Sequence, residues 1–316
     1  MKVIVIGAVG TTVLTIEMLL KHKFNIVGVL GHEPANRKRV TGLNDIKSLC
    51  YKHNLEYDGF RKINDKKHID WAKDKTPEII FAVGFSQLLT NEWLIMSKFG
   101  CIGFHPTYLP KGRGRAPVAW SILEQKKAAA NFFLIGEGSD DGPIFVQEVF
   151  DIDDNDDAES FALKLKLHIR KALDKWLPKL KNGIINPILQ DESKATYYGK
   201  REPCDSLIDW SFNACDIDRL IKASTVPHDG SFTFFKDKLV TILKAKISTT
   251  NNYKGTVGRV LLIEEGKLLV QCGFGTSLWI EKFEVEENCK INVGNKLGTL
   301  HNNKLDELIN NLIWNK

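Results

Sequence analysis

The chain has 316 residues, 43% hydrophobic and 26% charged, with a formal net charge of +5. That length exceeds one small core and suits two domains. No apolar run reaches the roughly 18–20 residues of a membrane-spanning helix, and so mild a basicity does not by itself indicate nucleic-acid binding. The six cysteines, Cys50, Cys101, Cys204, Cys215, Cys272 and Cys289, form no C-x-x-C pair. This fits reduced cytoplasmic thiols rather than a disulfide frame or a zinc site, and no metal is expected.

The N-terminal MKVIVIGAVG enters a strand pattern directly and is not read as a signal peptide. Val3–Gly7 is a short apolar run of the kind buried on both faces of a parallel sheet. Gly7-Ala8-Val9-Gly10 then turns into a helical pattern with Thr11 or Thr12 as N-cap. The two glycines are only a fragment of a dinucleotide fingerprint, and a tight turn packing a helix on a sheet explains them. Asn25–Gly31 reads as the next strand, 43–54 as a helix, Glu78–Phe85 as another buried strand, and Cys101–His105 as a strand after a short helical stretch. Alternating strands and helices imply a doubly wound, mostly parallel α/β sheet, with ligands at the carboxyl ends of the strands.

Residues 128–136 and 144–152 read as two strands flanking a loop, and 157–181 as a long amphipathic helix with a solvated basic face. Pro187 and Tyr197–Pro203 mark a linker, placing domains at 1–203 and 204–316. The second domain opens with a helix that follows Trp210 and contains Asp216–Ala223. Short strands follow at 231–236, 238–247, 255–264, 267–272 and 276–285, a pattern that suggests a small barrel. Leu305, Leu308, Ile309, Leu312 and Ile313 recur at helical spacing and read as a packing helix, not a membrane anchor.

The stretch that carries chemistry is FHPTYLPKGRGRAP at 104–117, followed by GSDDGPIF at 138–145. A His at a strand end can exchange protons near neutral pH. Glycines let backbone approach a ligand, and the Asp140-Asp141 pair offers a carboxylate to orient the His. Each residue taken singly is also compatible with an ordinary surface loop.

The string His105-Pro106-x-x-Leu109-Pro110-x-x-Arg113-Gly114-x-Ala116-Pro117 resembles the signature loop of the 10-formyltetrahydrofolate-dependent formyltransferases. That family includes methionyl-tRNA formyltransferase and the nucleotide-sugar N-formyltransferases. Asp140-Asp141-Gly142, 35 residues after His105, matches the family's Asp-x-Gly turn. Ile208-Asp209-Trp210, Arg219–Ala223 and Gly255-Thr256-Val257 are similar to landmarks of its OB-like C-terminal domain.

The resemblance implies that His105 transfers protons and that Asp140 orients it, with Asp141 as a neighbour that could share that role. It also implies a pterin wall along Phe81, Val83, Phe85, Gln87, Leu88 and Leu89, a segment that otherwise reads as a buried strand end. In the loop Lys111–Arg115, Arg113 and Gly114 are assigned to the cofactor with Asp141, while Pro106, Thr107, Lys111 and Arg115 are assigned to substrate. A solvated basic loop is the other reading of these cations. The family motif has Asn two residues before the His, and its amide helps bind the formyl oxygen. This chain has Gly103 there. Asn131, on a strand expected beside Cys101–His105, is the candidate replacement, because a lost oxyanion donor costs about 10²–10³ in rate.

For the acceptor, 33–41 carries only a small Arg37-Lys38-Arg39 cluster, whereas tRNA docking needs many phosphate contacts. The 41–49 and 194–203 segments look more like the nucleotide-sugar enzymes. The expected function is therefore formyl transfer from 10-formyltetrahydrofolate to a UDP- or dTDP-linked 4-amino sugar for surface polysaccharides. Lys200, Arg201 and Arg219 are candidates for the pyrophosphate, or else solvated charges. No nucleic-acid or membrane partner is expected, the location is read as cytoplasmic, and the oligomeric state is open, a homodimer being one candidate. The alternatives are methionyl-tRNA formyltransferase and a non-catalytic folate-binding or interaction protein on the same fold.

Overall fold

The computed structural model describes residues 1–37, 40, 42–124, 127–249, 252–286, 289–299 and 304. These form two compact units. The first is built on 1–117, 127–152 and 161–199, and the second on 118–124, 153–160 and the described residues from 200 onward.

The first unit contains β1 (Lys2–Gly7), α1 (Gly10–Lys21), β2 (Asn25–His32), α2 (Ile46–Lys52), β3 (Tyr57–Phe60), α3 (Lys66–Asp74), β4 (Ile79–Ala82), α4 (Asn91–Leu94) and β5 (Cys101–His105). The two-residue strand β6 (Arg113–Gly114) follows, and α5 (Pro117–Glu124) begins where the chain passes to the second unit. Then come β7 (Lys127–Leu134), β8 (Ile144–Asp151) and α6 (Ala158–Lys181).

Seven strands form one sheet in the order β3-β2-β1-β4-β5-β7-β8. β1 pairs in parallel with β2 and β4, and β4 in parallel with β5, whereas β7 and β8 run antiparallel. The apolar runs of β1 and β4 are wholly interior, as strands covered on both faces must be. Trp176 of α6 stacks on Phe132 and Phe145 and tilts onto Phe81, so this helix covers one face of the sheet. The order puts His105 at the carboxyl end of a central strand, where open α/β sheets bind ligands.

Local differences from the sequence reading have identifiable causes. β4 stops at Ala82 rather than Phe85, because Gly84 adopts a left-handed φ of 76° that leaves the pleat. The N-cap of α1 is Val9, not Thr11 or Thr12. Thr12, inside the first turn, accepts hydrogen bonds from the N–H of Ala8 and Val9 and donates 2.6 Å to the Val83 carbonyl. Its hydroxyl thus ties the first turn of α1 to the backbone just beyond β4. β3 and α3 are not among the elements read from the sequence. A partly buried contact of 2.6 Å from His68 Nδ1 to Asp58 joins α3 to β3.

In the second unit α7 (Ala214–Ser224) precedes a wholly antiparallel sheet of β10 (Ser231–Phe235), β11 (Lys238–Ile247), β12 (Val260–Glu264), β13 (Lys267–Gln271) and β14 (Ser277–Val285), in the order β10-β11-β14-β13-β12. β9 (Tyr197–Tyr198) belongs to the first unit. The expected strand 255–264 is shorter, starting at Val260.

Both edges of this sheet are engaged by 296–298. Phe234 and Gly298 exchange backbone hydrogen bonds of 2.8 and 2.9 Å, and Arg259 bridges to Lys296. The segment thereby links the two edges of the sheet, as the expected small barrel requires. Trp210, Ile242, Val270, Leu278 and Ile280 fill its core, and the Trp210 indole N–H donates 2.9 Å to Thr233 Oγ1. Leu305, Leu308, Ile309, Leu312 and Ile313 lie outside the described residues, as do Lys38 and Arg39. No helix among the described residues is long and apolar enough to cross a membrane.

Candidate active site

β5 delivers His105 into an enclosure in which only 4% of the residue is exposed. Its Nε2 lies 2.8 Å from the Gly112 carbonyl, and its Nδ1 lies 3.4 Å from Asp140 Oδ2. A carbonyl only accepts, so Nε2 carries a proton. The neutral ring therefore keeps its lone pair on Nδ1, facing the carboxylate. Burial holds the imidazole below its ordinary value, while the Asp140 charge and the Gly112 hydrogen bond pull it upward. His105 is thus a neutral base near pH 7 whose cation, once formed, meets an acceptor on one side and an anion on the other.

Asp140 sits in left-handed backbone, φ 53°, within a turn that carries its carboxylate toward β6. There Oδ2 accepts the Gly114 N–H at 2.9 Å. Gly114, at φ 102°, presses against the Tyr198 backbone, where a side chain could not fit. The His, the Asp and the glycine-rich loop singled out in the sequence are therefore brought together.

Asn131 pairs across the sheet with His105, but its amide is not free for a formyl oxygen. Nδ2 donates 2.7 Å to the His105 carbonyl and 2.6 Å to the Thr107 carbonyl, and Oδ1 accepts from Gln147 at 2.8 Å. Asn131 clamps the backbone around His105 instead of replacing the missing carboxamide. Nor is there space for one at Gly103, where a Cβ would stand 2.8 Å from Phe133 Cζ and 2.9 Å from Ile135 Cγ1.

Arg113 is also corrected. It is fully buried and donates 2.8 and 2.6 Å to both oxygens of Glu192, 2.9 Å to Tyr197 Oη, and 3.2 and 3.0 Å to Gln190 Oε1. Every donor direction is committed, so it is not available to a phosphate or a glutamate tail. Glu192 above all raises its affinity for the proton. The Gly114 N–H is likewise spent on Asp140. Pro106 and Thr107 are buried, and Thr107 Oγ1 has no hydrogen-bond partner among the described residues.

Of the expected pterin wall, Phe81 and Val83 are interior, and Phe81 faces Trp176. Gln87 is tied to the 61–63 turn through the Arg61 carbonyl at 2.7 Å and the Ile63 N–H at 3.0 Å. Phe85 packs edge-on against Phe60, Leu89 is partly covered, and Leu88 is 88% exposed. Among the described residues no backbone N–H of 85–89 donates to the protein. Asp141 lies against the Gly138 backbone within its own loop.

Lys111 and Arg115 are exposed in the first unit. Lys200, Arg201 and Arg219 belong to the second unit. There Lys200 pairs with Glu202, while Arg201 stacks over Trp120 and donates 2.9 Å to the Asp205 carbonyl. Gln190, Glu192 and Thr196 were missed as contributors; of the three only Thr196 falls in the 194–203 segment, which was read as a mark of substrate class.

The family description "Formyl transferase" matches residues 1–178, and "Formyl transferase, C-terminal domain" matches 200–297. The chain belongs to the formyl transferase family and is a formyltransferase, as its signature loop implies. It is 28% identical to the methionyl-tRNA formyltransferase of Clostridium novyi over 87% of this chain and 89% of that protein. It is 30% identical to the bifunctional polymyxin resistance protein ArnA of Wigglesworthia glossinidia brevipalpis over 86% of this chain, and spans only 41% of that longer relative. The fold is shared with WlaRD, a sugar 3N-formyl transferase solved in the presence of dTDP and 5-N-formyl-THF. The TM-score is 0.66 at 17% identity, covering 92% of this chain and 99% of that one.

Proposed function

We propose that the enzyme moves the formyl group of 10-formyltetrahydrofolate to the amine of a nucleotide-linked amino sugar. The observation that carries the chemistry is the neutral His105 held between the Gly112 carbonyl and the Asp140 carboxylate. When bound, the folate supplies the formyl carbon and a leaving nitrogen. The backbone donors of 85–89, which have no partner among the described residues, and the exposed Leu88 suit the polar edge and flat face of a heterocycle.

The chain's own part is to hold and move one proton. Nδ1 of His105 takes the proton of the attacking amine. The imidazolium rests between Gly112 and Asp140, and the same Nδ1 then releases the proton to the leaving nitrogen. Enclosure of the ring strengthens both contacts.

The acceptor class rests on charge. Residues 33–41 hold Arg37, Lys38 and Arg39 as their only Lys or Arg. Each phosphate contact adds a salt-sensitive increment, and tRNA docking needs several. A nucleotide sugar needs one compact anion site, a role assigned here to Lys111 and Arg115 because both are exposed. The likeness to a methionyl-tRNA formyltransferase over most of both chains favours tRNA as the second reading. Incubation with 10-formyltetrahydrofolate and either a panel of UDP- and dTDP-amino sugars or initiator methionyl-tRNA separates the two. Formylation of a sugar alone is expected, and formylation of the tRNA alone overturns the proposal.

A further inference from the structure

We propose that the segment joining the two family-matched regions is part of the catalytic scaffold, with Gln190 positioning Asp140 and Thr196 positioning His105. This rests on the reading of His105 and Asp140 as the proton-transfer pair. The family matches end at residue 178 and resume at 200, so both residues fall in the stretch between them. The first unit nevertheless runs to Gly199, and β9 pairs in parallel with β6.

The segment is anchored where Ile188 and Ile144 exchange two backbone hydrogen bonds of 2.8 Å, just beyond the Asp140 turn. From there Gln190 Nε2 donates 2.7 Å to the Asp140 carbonyl and 2.7 Å to the Gly142 carbonyl, while its Oε1 accepts from Arg113. The carboxamide thus staples a turn whose aspartate is left-handed at φ 53°. Left-handed backbone is uncommon for a residue other than glycine and is held in place by its surroundings.

Six residues on, Thr196 holds the other half of the pair. Its Oγ1 accepts the Gly112 N–H at 2.8 Å, its N–H donates to the Pro110 carbonyl at 3.3 Å, and its carbonyl accepts the Arg113 N–H at 2.9 Å. The peptide whose carbonyl receives His105 Nε2 is therefore fixed from this segment. Arg113 joins the two anchors, since it bonds Gln190, Glu192 and Tyr197 at once. Neither Gln190 nor Thr196 bonds the His105 or Asp140 side chain. Both act through backbone, as positioning residues.

The test uses the full chain and reads the His105 ring directly by long-range 1H–15N NMR, assigned by loss of its signals in His105→Gln. In the wild type the Nε2–H tautomer is expected. Thr196→Val leaves the Gly112 N–H unpaired, and Gln190→Ala releases the Asp140 turn. Each loosens the backbone that holds a group raising the imidazole, the Gly112 carbonyl in one case and the Asp140 carboxylate in the other, so each lowers the His105 titration midpoint. Thr196→Ser retains the wild-type midpoint. Transfer to a dTDP-linked 4-amino sugar falls about tenfold to a hundredfold in kcat for Thr196→Val and Gln190→Ala, the scale of a small misplacement of reacting groups. Gln190→Glu, the same size without the two donors, gives the reading if the alanine variant does not fold.

Unchanged midpoints and tautomer in the folded valine and alanine variants overturn the inference, as does an upward shift, which marks simple opening to solvent. His105→Ala measured alongside separates the levels. If it retains wild-type turnover, the proton-transfer reading itself fails. If it is inactive while the positioning variants leave the ring unchanged, only the scaffold assignment fails.

Discussion

Replacing Asp140 by Asn isolates the charge beside His105. The single atom Oδ2 both accepts the Gly114 N–H at 2.9 Å and faces His105 Nδ1 at 3.4 Å. An asparagine oxygen can occupy that place and keep the Gly114 bond, so the turn survives while the negative charge goes. Coulomb's law at an effective dielectric of about 20 gives about 5 kcal/mol for unit charges at this separation. Both ions are delocalised, and the usual effect of an adjacent opposite charge is about 1–3 pKa units, or about 1.4–4 kcal/mol. Burial already holds His105 below its ordinary value, and Asp140 is the larger of the two influences opposing that. The base form is the active form, so kcat/KM rises with pH through the His105 value and is flat above it. In Asp140→Asn the acid limb moves to lower pH and the plateau drops by about 10- to 10³-fold, because the imidazolium has lost its counter-charge. Steady-state kinetics from pH 5 to 9, with melting curves to confirm folding, provide the measurement. An acid limb that moves upward, or a plateau within threefold of wild type, refutes the reasoning.

Asp141→Asn lowers kcat less than Asp140→Asn, since Asp141 lies against Gly138 rather than on the His105 ring; equal losses in parallel assays reverse the assignment. Acid weakens the fold through His105. Its native value is depressed, so below the ordinary value the unfolded chain binds the proton first, and stability falls as pH drops. Urea titrations at pH 7.5 and 5.5 show a difference smaller in His105→Gln than in wild type by about 1 kcal/mol, and an equal difference counts against a buried neutral ring. Gly103→Asn displaces Phe133 and Ile135 and destabilises by about 1–3 kcal/mol without raising kcat; a gain in rate contradicts the packing seen here. In the barrel, Thr233→Val strands the Trp210 indole N–H and costs about 1–3 kcal/mol by urea unfolding, a loss that Thr233→Ser avoids.

The parts of the molecule legible in the sequence were those in which a local rule and the tertiary environment agree. β1 and β4 are continuous apolar runs because both faces are covered, and composition records that directly. His105 and Asp140 were legible because a strand-end His and an Asp-x-Gly turn stood in a recognised string. What the sequence did not disclose is where polar side chains spend their hydrogen bonds. A lone arginine in a glycine-rich loop has the composition of an anion site, yet Arg113 is buried and saturated by Glu192, Gln190 and Tyr197, which lie 77 to 84 positions away along the chain. Asn131 was placed on the correct strand opposite His105, but its amide closes on the carbonyls that flank the His. In both cases burial decides the role. A buried donor without a partner is costly, so long-range backbone and carboxylate acceptors claim these groups before any ligand does. The same accounting makes the 188–197 segment, which lies between the linker marks Pro187 and Tyr197–Pro203, a supporting wall of the site.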